Sequence, residues 1–235
     1  MFILNLKNYK LTNRTYEVID KLNVLLRNFS NVNFLIAPNI ISTRFYVELL
    51  DKLNSNIKVL GQHADFIDTP KSTGFISPEL LKNLGTWGTI LNHAEHNIDT
   101  NILRHTVKIC NELDLKTIVC FDDVCNTVKY ISLHPTFISY EPRSLIGGGN
   151  SFSSKSVIDQ EMQNLMYLKS KFDEDKIILG AGIKSENDFI KTYELGFAGV
   201  MISSVVTENE DFFGKLEELL NYENMYSKSF AKSIL

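Results

Sequence analysis

Polar residues stand at the ends of short apolar runs along this chain, and their types are those of proton-transfer chemistry. Asn5 and Lys7 close "FILNLK", His93 and Glu95 close "TILNHAE", and Glu141 closes "TFISYE". A cation, an imidazole and a carboxylate can move protons and steady the charge that develops. Two further runs end in small residues, Gly180-Ala181-Gly182 after "KIIL" and Ser203-Ser204 after "GVMI". Small residues let backbone N–H groups approach an anion such as phosphate. Glu141 is followed at once by Pro142 and, past Ile146, by Gly147-Gly148-Gly149. A stiff joint and a slack one thus bracket a short segment beside the carboxylate.

The elements that must position these groups follow from periodicity. Apolar runs rich in Ile, Val and Leu occupy 2–6, 33–38, 58–64, 86–93, 116–121, 136–141, 176–182 and 199–204. They are nearly continuous rather than alternating, the pattern of parallel strands covered on both faces. Segments with helical spacing lie at 14–29, 42–53, 101–113, 156–172 and 185–196. Ser77-Pro78 supplies a cap and an opening proline for a further helix, which Gly85 ends. Eight strands, each followed by a helical segment, predict an α/β fold. The domain is a single (β/α)8 barrel over residues 1–235, with 222–235 a closing helix or tail. A doubly wound open sheet is the alternative, but no G-x-G-x-x-G fingerprint follows the first strand. In a (β/α)8 barrel the active site is built at the C-terminal strand ends, where the polar and small residues named above fall.

Composition narrows the partners. A formal net charge of -4 over 235 residues, without a Lys/Arg cluster, argues against a nucleic-acid binder. No apolar run approaches the ~20 residues that span a bilayer. The N-terminus "MFILNLKNYK" lacks the charged region and cleavage site of a signal peptide. Cys110, Cys120 and Cys125 make an odd count with no Cys/His partner cluster. That points to a reducing, cytoplasmic compartment and away from a metal site. No cofactor is called for.

"NLKNYK" resembles the N-x-K opening of the triosephosphate isomerases, "LNHAEH" their strand-four His-x-Glu motif, and "YEPRSLIGGG" their strand-six glutamate and mobile lid. "LGAGIKSEND" and "GFAGVMISS" are similar to the phosphate loops of the compact archaeal-type branch. The resemblance implies a TIM barrel that interconverts dihydroxyacetone phosphate and D-glyceraldehyde 3-phosphate through an enediol(ate). It makes Glu141 the base and His93 a neutral electrophile, kept uncharged by a helix starting just after it. Lys7 is the cation beside enediolate and phosphate, and Asn5 a hydrogen-bond donor next to it. Gly147, Gly182, Ser203 and Ser204 hold the phosphate through backbone N–H groups, with Ile146 in the lid beside them and Glu95 in support. The closed lid keeps water from an intermediate that otherwise loses phosphate. The stretch "DTPKSTGFISPE" resembles the loop that enters a neighbouring subunit's site, with Thr73 at its tip. A homodimer or homotetramer formed through residues 65–79 is therefore implied.

The chain departs from the family pattern at three points. Ala94 stands where the family usually has Ser, His96 where it has Arg, and Gly148 where relatives commonly have Thr. Ala94 removes a hydroxyl that could hold the base while the lid is open. His96 changes what pairs with Glu95, and Gly148 loosens the lid. Two other readings stand beside this one. A phosphate-binding barrel of the indole-glycerol-phosphate or thiamine-phosphate type shares the cradle but not the combination of Lys7, His93 and Glu141. A non-catalytic phosphometabolite-binding barrel keeps the site without turnover, because fold and partial site do not guarantee activity.

Overall fold

A strand that is apolar on both faces needs cover on both, and this chain provides it by closing its sheet on itself. The computed structural model describes residues 1–9, 15–67, 69–124, 130–146 and 150–231. Eight strands form the barrel: β1 (Phe2–Asn5), β2 (Phe34–Ala37), β3 (Lys58–Gly61), β4 (Gly88–Leu91), β5 (Lys116–Phe121), β6 (Phe137–Tyr140), β7 (Ile177–Leu179) and β8 (Gly199–Ile202). Each pairs in parallel with the next, and β8 pairs with β1. The fold is the expected single (β/α)8 TIM barrel, and the open doubly wound sheet is set aside. Helices α1 (Thr15–Leu26), α2 (Ile40–Lys52), α3 (Pro78–Leu84) and α4 (Thr100–Glu112) follow the first four strands. Later come α5 (Lys155–Lys169), α6 (Glu186–Glu194), α7 (Ser204–Thr207) and α8 (Phe212–Ala231). The connection from β5 to β6 passes through residues 125–129, outside the described residues.

The pleat sorts the strand side chains into two cores. Ile3, Leu35, Ile90, Ile118 and Ile178 cluster with Cys120 and Met201 inside the barrel. Their alternates Phe2, Leu4, Ile36, Ile138 and Val200 pack outward on helix residues such as Ile19, Leu165, Phe189 and Leu216. Successive strand residues point to opposite faces, so parity carries on past the last paired residue. Counting two onward from Ile3, Ser139, Ile178 and Met201 reaches Asn5, Glu141, Gly180 and Ser203. These residues sit directly above the inner core, at the mouth.

Most strands end earlier than the apolar runs do; β5 alone matches its run to Phe121. β3 stops at Gly61 and β7 at Leu179, and the residues beyond them form the rim. Local signals set the helix ends. The Ser77 hydroxyl accepts the N–H of Leu80, and Gly85 leaves α3 with φ of 96°. Past Tyr222 the chain stays helical to Ala231, with the Phe189 and Tyr222 rings 5.9 Å apart. Among the described residues, no helix is long and apolar enough to cross a membrane.

Candidate active site

A cavity of about 490 Å³ opens at the C-terminal mouth of the barrel. Asn5, Lys7, His93, Glu95 and Glu141 line it together with Ile146, Gly182, Ser203 and Ser204. Residues far apart in sequence are thus brought to one place by five different strands. Gly147, also expected here, lies outside the described residues. Thr73 is exposed and does not line the cavity. Three polar lining residues were not singled out from the sequence: Tyr9, Lys184 and Glu208. The Tyr9 hydroxyl donates to Glu208 at 2.6 Å, joining the loops after β1 and β8. Lys7 is therefore not the sole cation at the cavity.

Lys7 is held in an unusual backbone state, with φ of 45°. A lysine there is strained by its Cβ and persists only where its surroundings fix it. The Asn5 side chain does so, its Oδ1 accepting the Lys7 N–H at 3.0 Å. Gln62 donates to that same oxygen at 3.3 Å, to Lys7 O at 3.2 Å and to Ala37 O at 2.9 Å. With Oδ1 taken, the Asn5 amide NH₂ is the group that can turn to a ligand. The ammonium of Lys7 meets Glu95 Oε1 at 2.6 Å. An accessible pair of this kind adds little stability, so its consequence is to aim the lysine.

His93 is tuned by its own turn. The N–H of Glu95 donates to His93 Nδ1 at 3.2 Å. Nδ1 is then an acceptor, and the ring proton of the neutral imidazole sits on Nε2. Burial lowers the His93 pKa from its ordinary value, Lys7 adds to the drop, and Glu95 opposes it. The expected helix directly after His93 is absent: residues 93–96 form a turn closed by His96 N–H to His93 O at 2.7 Å, and α4 begins at Thr100. Burial, not a helix dipole, keeps this ring neutral. Asn92 precedes it with φ of 58°. That left-handed residue breaks the strand alternation and lets His93 enter the mouth. Asn92 is itself tied down, donating to Cys120 O and accepting from Ile98 N, both at 2.9 Å. His96 does not pair with Glu95; its ring stacks on His63 at 4.2 Å.

Glu141 is 2 % exposed, and its Oε1 is buried without a hydrogen-bond partner. An orphaned buried acceptor is costly, and such groups concentrate at working sites. His93 Nε2 lies 3.8 Å from this oxygen. Burial pushes the carboxyl up to about 7, against the pull of the Cys120 thiol, Lys7 and the Ala94 N–H. The acid is thus poised where it can both take and return a proton near neutrality. Gly180 makes room for it, because a Cβ there would stand 2.6 Å from Glu141 Cγ. We expect Gly180→Ala to displace the carboxylate and lower kcat by roughly 10²-fold, with thermal unfolding changed far less. Wild-type kcat in this variant would show that the close approach has no consequence.

A buried acid held near neutrality thus faces, across 3.8 Å, an imidazole whose neutral form carries its proton on the facing nitrogen. Comparison with known proteins gives the family. The triosephosphate isomerase family model matches residues 1–219. A triosephosphate isomerase from Caldivirga maquilingensis is 36% identical over 164 residues, 70% of this chain and 72% of that protein. One from Thermoplasma volcanium is 32% identical over 221 residues, 93% of this chain and 98% of that protein. One from Methanocaldococcus jannaschii is 28% identical over 225 residues, 94% and 99% of the two chains. The chain belongs to the triosephosphate isomerase family.

Proposed function

We infer that this chain interconverts dihydroxyacetone phosphate and D-glyceraldehyde 3-phosphate, a step of glycolysis and gluconeogenesis. The carrying observation is Oε1 of a buried Glu141, 3.8 Å from His93 Nε2, in one cavity with Lys7. In this reading Glu141 removes a proton from C1 of the ketose, and charge develops on the C2 oxygen. The Nε2–H of His93 hydrogen-bonds that oxygen as a neutral donor, as is established for this family. Lys7 stabilises the enediolate by charge, and the Asn5 amide donates beside it. The O1 proton passes to the C2 oxygen by way of His93 Nε2, and Glu141 then returns its proton to C2, leaving the aldehyde at C1 and a hydroxyl at C2. The steps balance as proton transfers alone.

The phosphate is assigned to the N–H groups of Gly182, Ser203 and Ser204, with Ile146 above them. Gly147 shares that role in the reading. Gly182 suits the task, since its φ of 82° strains any residue with a side chain and an added Cβ would stand 2.6 Å from Leu145 Cδ1. Glu95 supports by aiming Lys7 and fixing the His93 tautomer. A coupled assay tests the reading: D-glyceraldehyde 3-phosphate should be consumed with kcat/KM between ~10⁴ and ~10⁸ M⁻¹s⁻¹. A folded protein without turnover would leave only the binding-barrel reading.

Self-association through residues 65–79 belongs to the same proposal, with the cytoplasm as its compartment. A second cavity of about 310 Å³, lined by Lys7, His63, His93, Glu95 and His96, adjoins the first. The Thr73 loop of another copy would enter there. Ile41, Phe45 and Phe75 are 85%, 47% and 56% exposed, apolar surface that a second copy would cover. Light scattering should give a dimer or a tetramer, and a stable monomer would overturn this part.

A further inference from the structure

The carboxylate of Asp188 collects more donors than any helix cap requires. It lies at the start of α6, and none of its surface is exposed. Oδ2 accepts the N–H groups of Lys184 and Ser185 at 3.0 and 2.9 Å, and the Ser185 hydroxyl at 2.8 Å. That half is a helix N-terminal cap of the capping-box kind. Oδ1 faces away from the helix, accepting the Ser153 N–H at 2.8 Å and the Ser151 hydroxyl. Gly182, two residues before Lys184, is tied to the 151–153 segment as well, its carbonyl accepting the Phe152 N–H at 3.0 Å. One carboxylate therefore joins the segment 151–153 to the segment 184–185, and Gly182 is pinned to the first of them.

We propose that Asp188 is a positioning residue for the phosphate end of the site, aiming the loop after β7 by clamping it to residues 151–153. The inference rests on the assignment of Gly182 to the phosphate. Helix capping accounts for Oδ2 alone, because Ser151 and Ser153 belong to no part of α6. Burial pushes this carboxyl up, but its donors together outweigh burial and hold it below the ordinary range. It thus acts as a pure acceptor. An amide in its place brings an NH₂ against N–H groups and cannot satisfy both segments. The loop then loses its fixed aim, and phosphate binding weakens before chemistry does.

The test measures inhibition by inorganic phosphate, together with KM and kcat, in three variants of the full chain. Asp188→Asn is expected to raise the phosphate inhibition constant and KM together by ~10-fold, as a lost charge-assisted bond would, while kcat changes less than ~3-fold. Ser151→Ala removes one contact on the Oδ1 side and is expected to shift the same two constants by ~3-fold. Its hydroxyl is only partly buried, so it remains informative if the asparagine variant fails to fold. Thr192→Val is the control, removing a 2.6 Å hydroxyl bond to the Asp188 carbonyl in the same helix. It should lower the melting temperature and leave phosphate inhibition unchanged. Wild-type phosphate inhibition in both Asp188→Asn and Ser151→Ala would overturn the clamp while leaving the site intact. So would Thr192→Val matching Asp188→Asn, which would reduce the effect to helix stability. Wild-type protein insensitive to phosphate would overturn the phosphate assignment, and the clamp with it.

Discussion

Replacing Glu141 by Gln is expected to retain substrate binding and to lower kcat by ~10²–10⁴ or more. The amide keeps the shape of the carboxyl in its buried slot but cannot accept the C1 proton. The same substitution should stabilise the fold at alkaline pH. Glu141 has a folded-state pKa of about 7 against an ordinary 4.5, so the folded state binds its proton more tightly than the unfolded chain. Stability from this group is fully present below pH ~4.5 and is lost as pH rises through ~7. Gln does not ionise and escapes that loss. Its stability relative to wild type should therefore rise by about 2–3 kcal/mol between pH 5 and pH 8, followed by denaturant unfolding at both values. Activity within a few-fold of wild type would remove Glu141 from the role. A relative stability independent of pH would show that its carboxyl is not held protonated by burial.

Lys7→Met should raise KM and lower kcat together, costing ~10²–10³ in kcat/KM. Two effects combine. The ammonium no longer offsets the charge on enediolate and phosphate, and Glu95 loses its 2.6 Å partner. Lys7 lowers the His93 pKa and Glu95 raises it, so removing the lysine moves the imidazole toward its charged form. The pH at which activity falls on the acid side should accordingly shift upward. Lys184 lines the same cavity and should preserve part of the inhibition by phosphate or sulfate. Unchanged KM together with unchanged phosphate inhibition would contradict the placement of Lys7.

The barrel was readable in the sequence because strands buried on both faces leave uninterrupted apolar runs, and these fall where the strands form. Strand parity then carries Asn5, Glu141, Gly180 and Ser203 into the mouth. His93 is a different case. It enters because Asn92 adopts a left-handed conformation, which periodicity does not register. The helix dipole assigned to it was misplaced because the turn at 93–96 delays α4 to Thr100. Tyr9 with Glu208 and Ser151 with Asp188 are contacts between residues 199 and 37 positions apart. They arise only once the barrel closes and its loops become neighbours. Thr73 is exposed and outside its own chain's cavity, and a single chain's sequence carries no signal of what a second copy would bring to it.

The central claim is that a single carboxylate moves a proton between adjacent carbons, and exchange in heavy water tests it most directly. A protonated Glu141 shares its proton with solvent before returning it. Dihydroxyacetone phosphate incubated with the protein in D₂O should therefore gain deuterium at C1, and the aldehyde formed should carry it at C2. Both signals should vanish in Glu141→Gln while the variant still binds substrate. Isomerised product with no deuterium at either carbon, or full exchange in the Gln variant, would contradict the account.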